Sequence, residues 1–121
     1  MQYSMEQWDS LLTNSIAKIK ELSKLKGGEY AGDHDRLANF RKASTNLDLP
    51  METIWLIYAG KHWDAVTQYV KDLQHSTTRP RMESISGRLD DIIVYSILFK
   101  AMIEEREQNL KELRTDYTKA S

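Results

Sequence analysis

The sequence predicts an all-α protein, a four-helix bundle with a long C-terminal helix. Apolar residues recur at spacings of three and four through four separate stretches. Two prolines and five glycines punctuate 121 residues, and both prolines and three of the glycines fall at three places between those stretches. A chain of this length, 40% hydrophobic and 29% charged, fits one compact domain and leaves no room for a second core.

In the first stretch Trp8, Leu11, Leu12, Ser15, Ile19 and Leu22 align one stripe over about four turns, and Lys26-Gly27-Gly28 stops it. The second, with Leu37, Phe40, Ser44 and Leu47, predicts a helix over 34–47, entered through Gly32-Asp33-His34-Asp35, where Asp33 is placed to accept the first free amides. Pro50 fits the first turn of a third helix whose stripe is Ile54, Tyr58, His62, Ala65, Tyr69 and Leu73, ending near His75. The run from Ser76 to Arg81, with Pro80 in it, reads as a polar loop. The fourth pattern, Ile85, Leu89, Ile92, Ser96, Phe99 and Ile103, widened by Ile93 and Ile97, continues into a charged stretch whose apolar residues are Leu110, Leu113 and Tyr117. A helix over 83–116 would be about 50 Å long against about 38 Å for the third, so its end overhangs the bundle. The expected division is a bundle over 1–104 and a helical extension over 105–121, lying against another subunit of a homo-oligomer, a dimer or tetramer.

Seventeen Lys and Arg against eighteen Asp and Glu give a net charge of -1, without the broad positive field that a nucleic-acid polymer or an anionic membrane attracts. The absence of cysteine excludes disulfides, thiolate metal sites and cysteine nucleophiles. The longest apolar run, Ile92 to Phe99, is far short of the roughly 20 residues that span a bilayer. With no secretory pattern at the N-terminus either, a soluble, cytoplasmic protein is expected.

Three places combine groups suited to chemistry. Gly27 to Phe40 puts glycines, acids, His34 and Arg36 at a helix entrance, which reads either as a phosphate site or as a flexible turn with a capping Asp. On the third helix Lys61 and His62, with Tyr58 and Trp63 nearby, read either as an anion site with aromatic faces for a base or as packing residues. The fourth helix opens with Glu83-Ser84-Ile85-Ser86-Gly87-Arg88, where Glu83 or Ser84 can cap, Gly87 admits close approach, and Arg88 and Asp91 form either an ion pair or a ligand contact. His34, His62 and His75 share no metal spacing, and no HExxH, P-loop, GxSxG or GxGxxG pattern occurs.

Glu29-Tyr30-Ala31-Gly32-Asp33-His34-Asp35-Arg36-Leu37-Ala38-Asn39-Phe40, then Lys61-His62-Trp63-Asp64, then Glu83 to Tyr95, resemble a group of small bacteriophage all-α proteins with a (D/E)YA…DRLxNF, KH and ESIxxRIxDxxNY pattern. The likeness covers about residues 25 to 105, and its first block is the specific one. The group is similar in helical pattern to MazG-like nucleoside triphosphate pyrophosphohydrolases and to phage nucleotide-modification-associated domains. Those hydrolases hold magnesium on an EExxE helix and a later ExxD helix. This chain departs from that: Glu21 is isolated, and Asp90-Asp91 is accompanied by Arg88.

The resemblance therefore implies a nucleotide-binding protein that does not cleave, of the kind phages use as sponges for the cyclic nucleotide or cyclic ADP-ribose signals of CBASS and Thoeris immunity. In that reading Arg36, Lys61, His62 and Arg88 hold phosphate, Asn39, Asp35 and Asp91 bond ribose or base, and Tyr30 stacks, with no catalytic residue and no cofactor, in the host cytoplasm. The alternative is a magnesium-dependent pyrophosphohydrolase using Glu29, Asp33, Asp35, Asp90 and Asp91. A third reading is a helical protein-interaction module built on the C-terminal extension.

Overall fold

The structure, a computed structural model, describes residues 1–26 and 35–120, and within them every regular element is helical. The helices are α1 (Met5–Lys26), α2 (Ala38–Leu47), α3 (Met51–Gln74) and α4 (Ile85–Ala120). α1 packs on α4, α2 on α3, and α3 on α4.

Local chemistry sets the helix ends. Ser4 and Gln7 form a capping box: the Gln7 amide donates to Ser4 Oγ at 3.0 Å, and the Ser4 amide donates back to Gln7 Oε1 at 2.8 Å. Asp33 lies outside the described residues; α2 has no side-chain cap, and just before it Asp35 closes a turn, its Oδ1 accepting the Leu37 amide at 3.0 Å. That helix starts at Ala38, later than the predicted 34. It ends at Asp48, whose left-handed backbone (φ 54°) turns the chain toward Pro50, the N-cap of α3. Ser84 caps α4 by accepting the Gly87 amide at 2.9 Å. A Cβ at Gly87 would stand 3.1 Å from that same hydroxyl, so the glycine leaves room for the cap.

The link from α3 to α4 is held by one carboxylate. Asp72, buried on α3, accepts Arg79 Nε at 2.9 Å, Arg79 Nη2 at 3.1 Å, Arg81 Nη2 at 3.0 Å and Gln68 Nε2 at 2.9 Å. The Arg81 guanidinium also lies 5.0 Å from the Tyr69 ring. The reversal passes through Ser76 in the left-handed region (φ 52°).

The core is a cluster of Leu37, Phe40, Ile54 and Met102, with Trp55, Tyr95 and Phe99 packed against it. Trp55 donates its indole N–H to the Tyr95 carbonyl at 2.7 Å, and its ring lies 4.6 Å from that of Phe99. These contacts fix α3 against α4. The buried residues of α4 are Asp90, Asp91, Val94 and Met102, with Leu98 half-buried, and the predicted stripe is inward only in part: Ile85, Ile92 and Phe99 are half-buried, whereas Leu89 and Ile103, with Ile93 and Ile97 beside them, are exposed. A helix apolar on every side gives a periodicity argument no unique inward face, and the partner helices decided it. At the end of α3 the buried residue is Asp72, and Leu73 is exposed. On α1 only the Ile19 end of the stripe is buried, whereas Trp8, Leu11 and Leu12 are exposed.

Ile54→Ala should cost about 2–5 kcal/mol in a denaturant titration, because Ile54 is almost fully buried at the centre of the core. The Arg79 hydrogen bonds, with help from Gln68, hold the Asp72 carboxyl at about 2, below its ordinary 3.8. A depressed carboxyl stabilises the fold above the unfolded value and loses that contribution as pH falls toward the folded one. The thermal unfolding temperature should therefore fall between about pH 4 and 2, and Asp72→Asn should remove part of that dependence.

Candidate functional site

A cleft of about 550 Å³ opens between α2, α3 and α4, lined by Arg36, Asn39, Phe40, Lys42, Ala43, Asn46, Tyr58, Asp91, Val94, Tyr95 and Leu98. The spacing of Asn39, Lys42 and Asn46 puts amide, ammonium and amide along one face of α2, and Arg36 stands just before that helix. Phe40, Tyr58 and Tyr95 supply aromatic surface, Phe40 and Tyr58 having ring centroids 6.2 Å apart. Arg36 Nη2 also donates to Ser23 Oγ of α1 at 3.2 Å.

Below Asp91 the cleft meets a polar cluster. The Arg88 guanidinium contacts His62 Nδ1 at 3.1 Å and Glu83 Oε2 at 3.2 Å, while Asp91 Oδ2 lies 3.6 Å from His62 Nδ1. A guanidinium only donates, so this bond requires Nδ1 to accept, with the imidazole proton on Nε2. The His62 ring leans on Tyr95 at 5.4 Å between centroids. One continuous strip thus runs from Arg36 and Asn39 through Tyr95 and Asp91 to His62 and Arg88.

Other predicted residues stand elsewhere. Asp35 faces away from this cleft, held by Arg41 Nε at 2.7 Å, and Arg41 in turn pairs with Glu105 on α4. The Arg41 bond and the Leu37 amide keep the Asp35 carboxyl below its ordinary range despite partial desolvation. Lys61 is exposed, its ammonium 5.8 Å from the Tyr58 ring, so it reaches the rim of the cleft and not its interior. Trp63 is exposed on a different face of α3 from Tyr58. Tyr30, Glu29 and Asp33 lie outside the described residues.

The acids do not converge into a magnesium site among the described residues. Asp90 points to α1, its Oδ2 within 3.1 Å of Lys18 Nζ; the ammonium is off hydrogen-bond geometry and neutralises the carboxylate without a directed bond. His62, Glu83 and Asp91 each bring one donor atom within 4.8 Å of the others, yet Arg88 already binds two of the three. Magnesium demands nearly all-oxygen octahedral coordination, and an imidazole bridged by a guanidinium does not fit it.

Lys42 and Asn46 line the cleft without having been singled out in the sequence, and Tyr95 lines it although the sequence marked it only as the last residue of the third resemblance block. The spacing of Asn39, Lys42 and Asn46 was the available signal for the first two. Comparison with known protein families, curated proteins and solved structures gives no match.

Replacing Arg88 by Met removes a charge-assisted donor from His62 and the cation beside two carboxylates, and should cost about 1–3 kcal/mol in denaturant unfolding. Lys61→Met, on an open face, should stay within about 0.5 kcal/mol of the parent.

Proposed function

We propose that the protein binds and retains a small phosphorylated ligand of nucleotide type without cleaving it. The observation that carries this reading is the cleft itself, with Arg36 and Lys42 as cations, Asn39 and Asn46 as amide readers and Phe40, Tyr58 and Tyr95 as aromatic surfaces in one concavity. Its volume, about 550 Å³, falls within the range of roughly 300–1,000 Å³ used by small-molecule sites. Phosphate suits the Arg36 and Lys42 rim, because guanidinium and ammonium groups meet its oxygens with charge-assisted bonds. A base suits the tyrosines, and Asn39, Asn46 and Asp91 offer donors and acceptors to its edge or to ribose. His62 and Arg88 brace Asp91 from behind.

The resemblance to phage proteins extends the proposal to a biological role. The ligand is a signal of the cyclic oligonucleotide or cyclic ADP-ribose kind, held in the cytoplasm of an infected cell by a homo-oligomer, so that a host effector is deprived of it. Sequestration needs affinity and stoichiometric amounts, not turnover, and a site rich in cations and poor in convergent acids is suited to that.

A thermal-shift panel of cyclic dinucleotides, cyclic ADP-ribose isomers and nucleoside triphosphates, each with and without magnesium, tests the reading. One ligand class should raise the melting temperature in a concentration-dependent way without metal and be recovered chemically unchanged after the complex is heated. Arg36→Met and Lys42→Met should each weaken binding about tenfold or more, with the unliganded melting temperature nearly unchanged. Magnesium-dependent release of pyrophosphate from a triphosphate would replace this reading with the hydrolase one. No stabilisation by any nucleotide would leave the interaction module.

A further inference from the structure

α3 carries a second apolar face that the fold leaves uncovered. Leu56, Ala59, Trp63, Val66, Val70 and Leu73 follow one another at spacings of three, four, three, four and three, a heptad seam over most of the helix. Leu56 is 65% exposed, Trp63 59%, Val70 50% and Leu73 63%. A strict seven-residue repeat drifts against the 3.6-residue turn, and such a seam is matched by another helix crossing at a shallow left-handed angle.

The same face continues onto α4. Leu89, Ile92, Ser96, Phe99 and Ile103 follow the same spacing, Leu89 and Ile103 being exposed. One register step beyond Ile103 is Arg106, and one step before Leu56 on α3 is Glu52. These two are ion-paired at 2.9 Å, which places the two seams on the same side of the molecule.

We infer that this α3/α4 face is the contact between two copies of the chain, which together form a four-helix bundle across a two-fold axis. The exposed parts of Leu56, Trp63, Val70, Leu73, Leu89 and Ile103, each about half of a side chain of about 200 Å², come to roughly 600 Å². That is at the upper limit for an apolar patch on a monomer and approaches the ~800 Å² per partner of a stable complex. An isologous contact sets a surface against itself, so it must tolerate its own charges. The row beside the α3 seam is Thr53, Gly60, Thr67 and Gln74, with no charge to repel its copy.

Gly60 is an independent sign. It sits in the middle of a 24-residue helix, where glycine costs about 1 kcal/mol relative to alanine, and among the described residues a Cβ there would meet no packed neighbour beyond the adjoining helix backbone within 4 Å. The chain's own packing therefore gives no reason for it. A neighbouring helix approaching closely at this point does. The inference moves the interface from the C-terminal extension to the bundle itself and does not depend on the ligand.

Light scattering and sedimentation equilibrium of the full chain without ligand, over a wide concentration range, test it. The parent should have the mass of a dimer or of a larger even-numbered assembly. Trp63→Glu and Val70→Glu should each weaken self-association at least about tenfold with the helical circular dichroism unchanged. Leu11→Glu, on the exposed face of α1, should leave it intact. If a glutamate at 63 or 70 lowers helicity, Gly60→Glu decides, since a Cβ at 60 meets no packed neighbour of another element within 4 Å. A monomeric parent would overturn the inference and assign the seam to a different protein. Self-association that survives the α3 variants, or that is lost only in Leu11→Glu, would overturn it as well.

Discussion

The fold depends on the contact between α3 and α4. Trp55 gives its indole proton to a backbone carbonyl of α4 and lays its ring against Phe99, while Ile54 and Met102 close the core beside it. Among the described residues the buried apolar set is small, so little packing energy is in reserve there and polar ties share the work of positioning. Asp72 fastens the reversal between the two helices, and Glu52–Arg106 and Arg41–Glu105 fasten the stretch where α4 leaves the core. α2 is short and joins this frame through Leu37 and Phe40; the cleft is the space it leaves over α4.

Charge pairing explains why the acids of this chain form no common site among the described residues. Each buried carboxylate faces a polar group from a different element: Asp72 the loop arginines, Asp90 Lys18 of α1, and Asp91 the His62 imidazole of α3. A carboxylate satisfied in this way is a structural anchor, and its desolvation is offset locally. Arg36, Lys42, Asn39 and Asn46 are arranged differently, on the rim of a concavity, where a ligand can reach them.

The helices were legible in the sequence because their ends are written in local chemistry. Pro50, the Gly27-Gly28 stop and the polar loop around Pro80 bound the periodic stretches within a few residues. The inward face of α4 was not legible, since apolar residues surround it and only the placement of α1 and α3 selects Val94, Leu98 and Met102. At the site, the sequence drew attention to Arg36, Asn39, His62, Arg88 and Asp91, and the fold places them along one strip. Asp35 and Lys61 were indistinguishable from these by residue type. Their separation is set by Arg41, which takes Asp35, and by the phase of Lys61 on α3, both properties of the packed molecule.

The three tryptophans occupy three distinct settings: Trp8 on the open side of α1, Trp55 within the helix pair, and Trp63 on the outer seam. Indole emission shifts with polarity and with hydrogen bonding of the ring N–H, so the chain holds its own optical gauge. Trp55 reports whether the two long helices are joined, and Trp63 whether their outer side is wet. Single-tryptophan versions would separate loss of fold from loss of assembly without any attached dye.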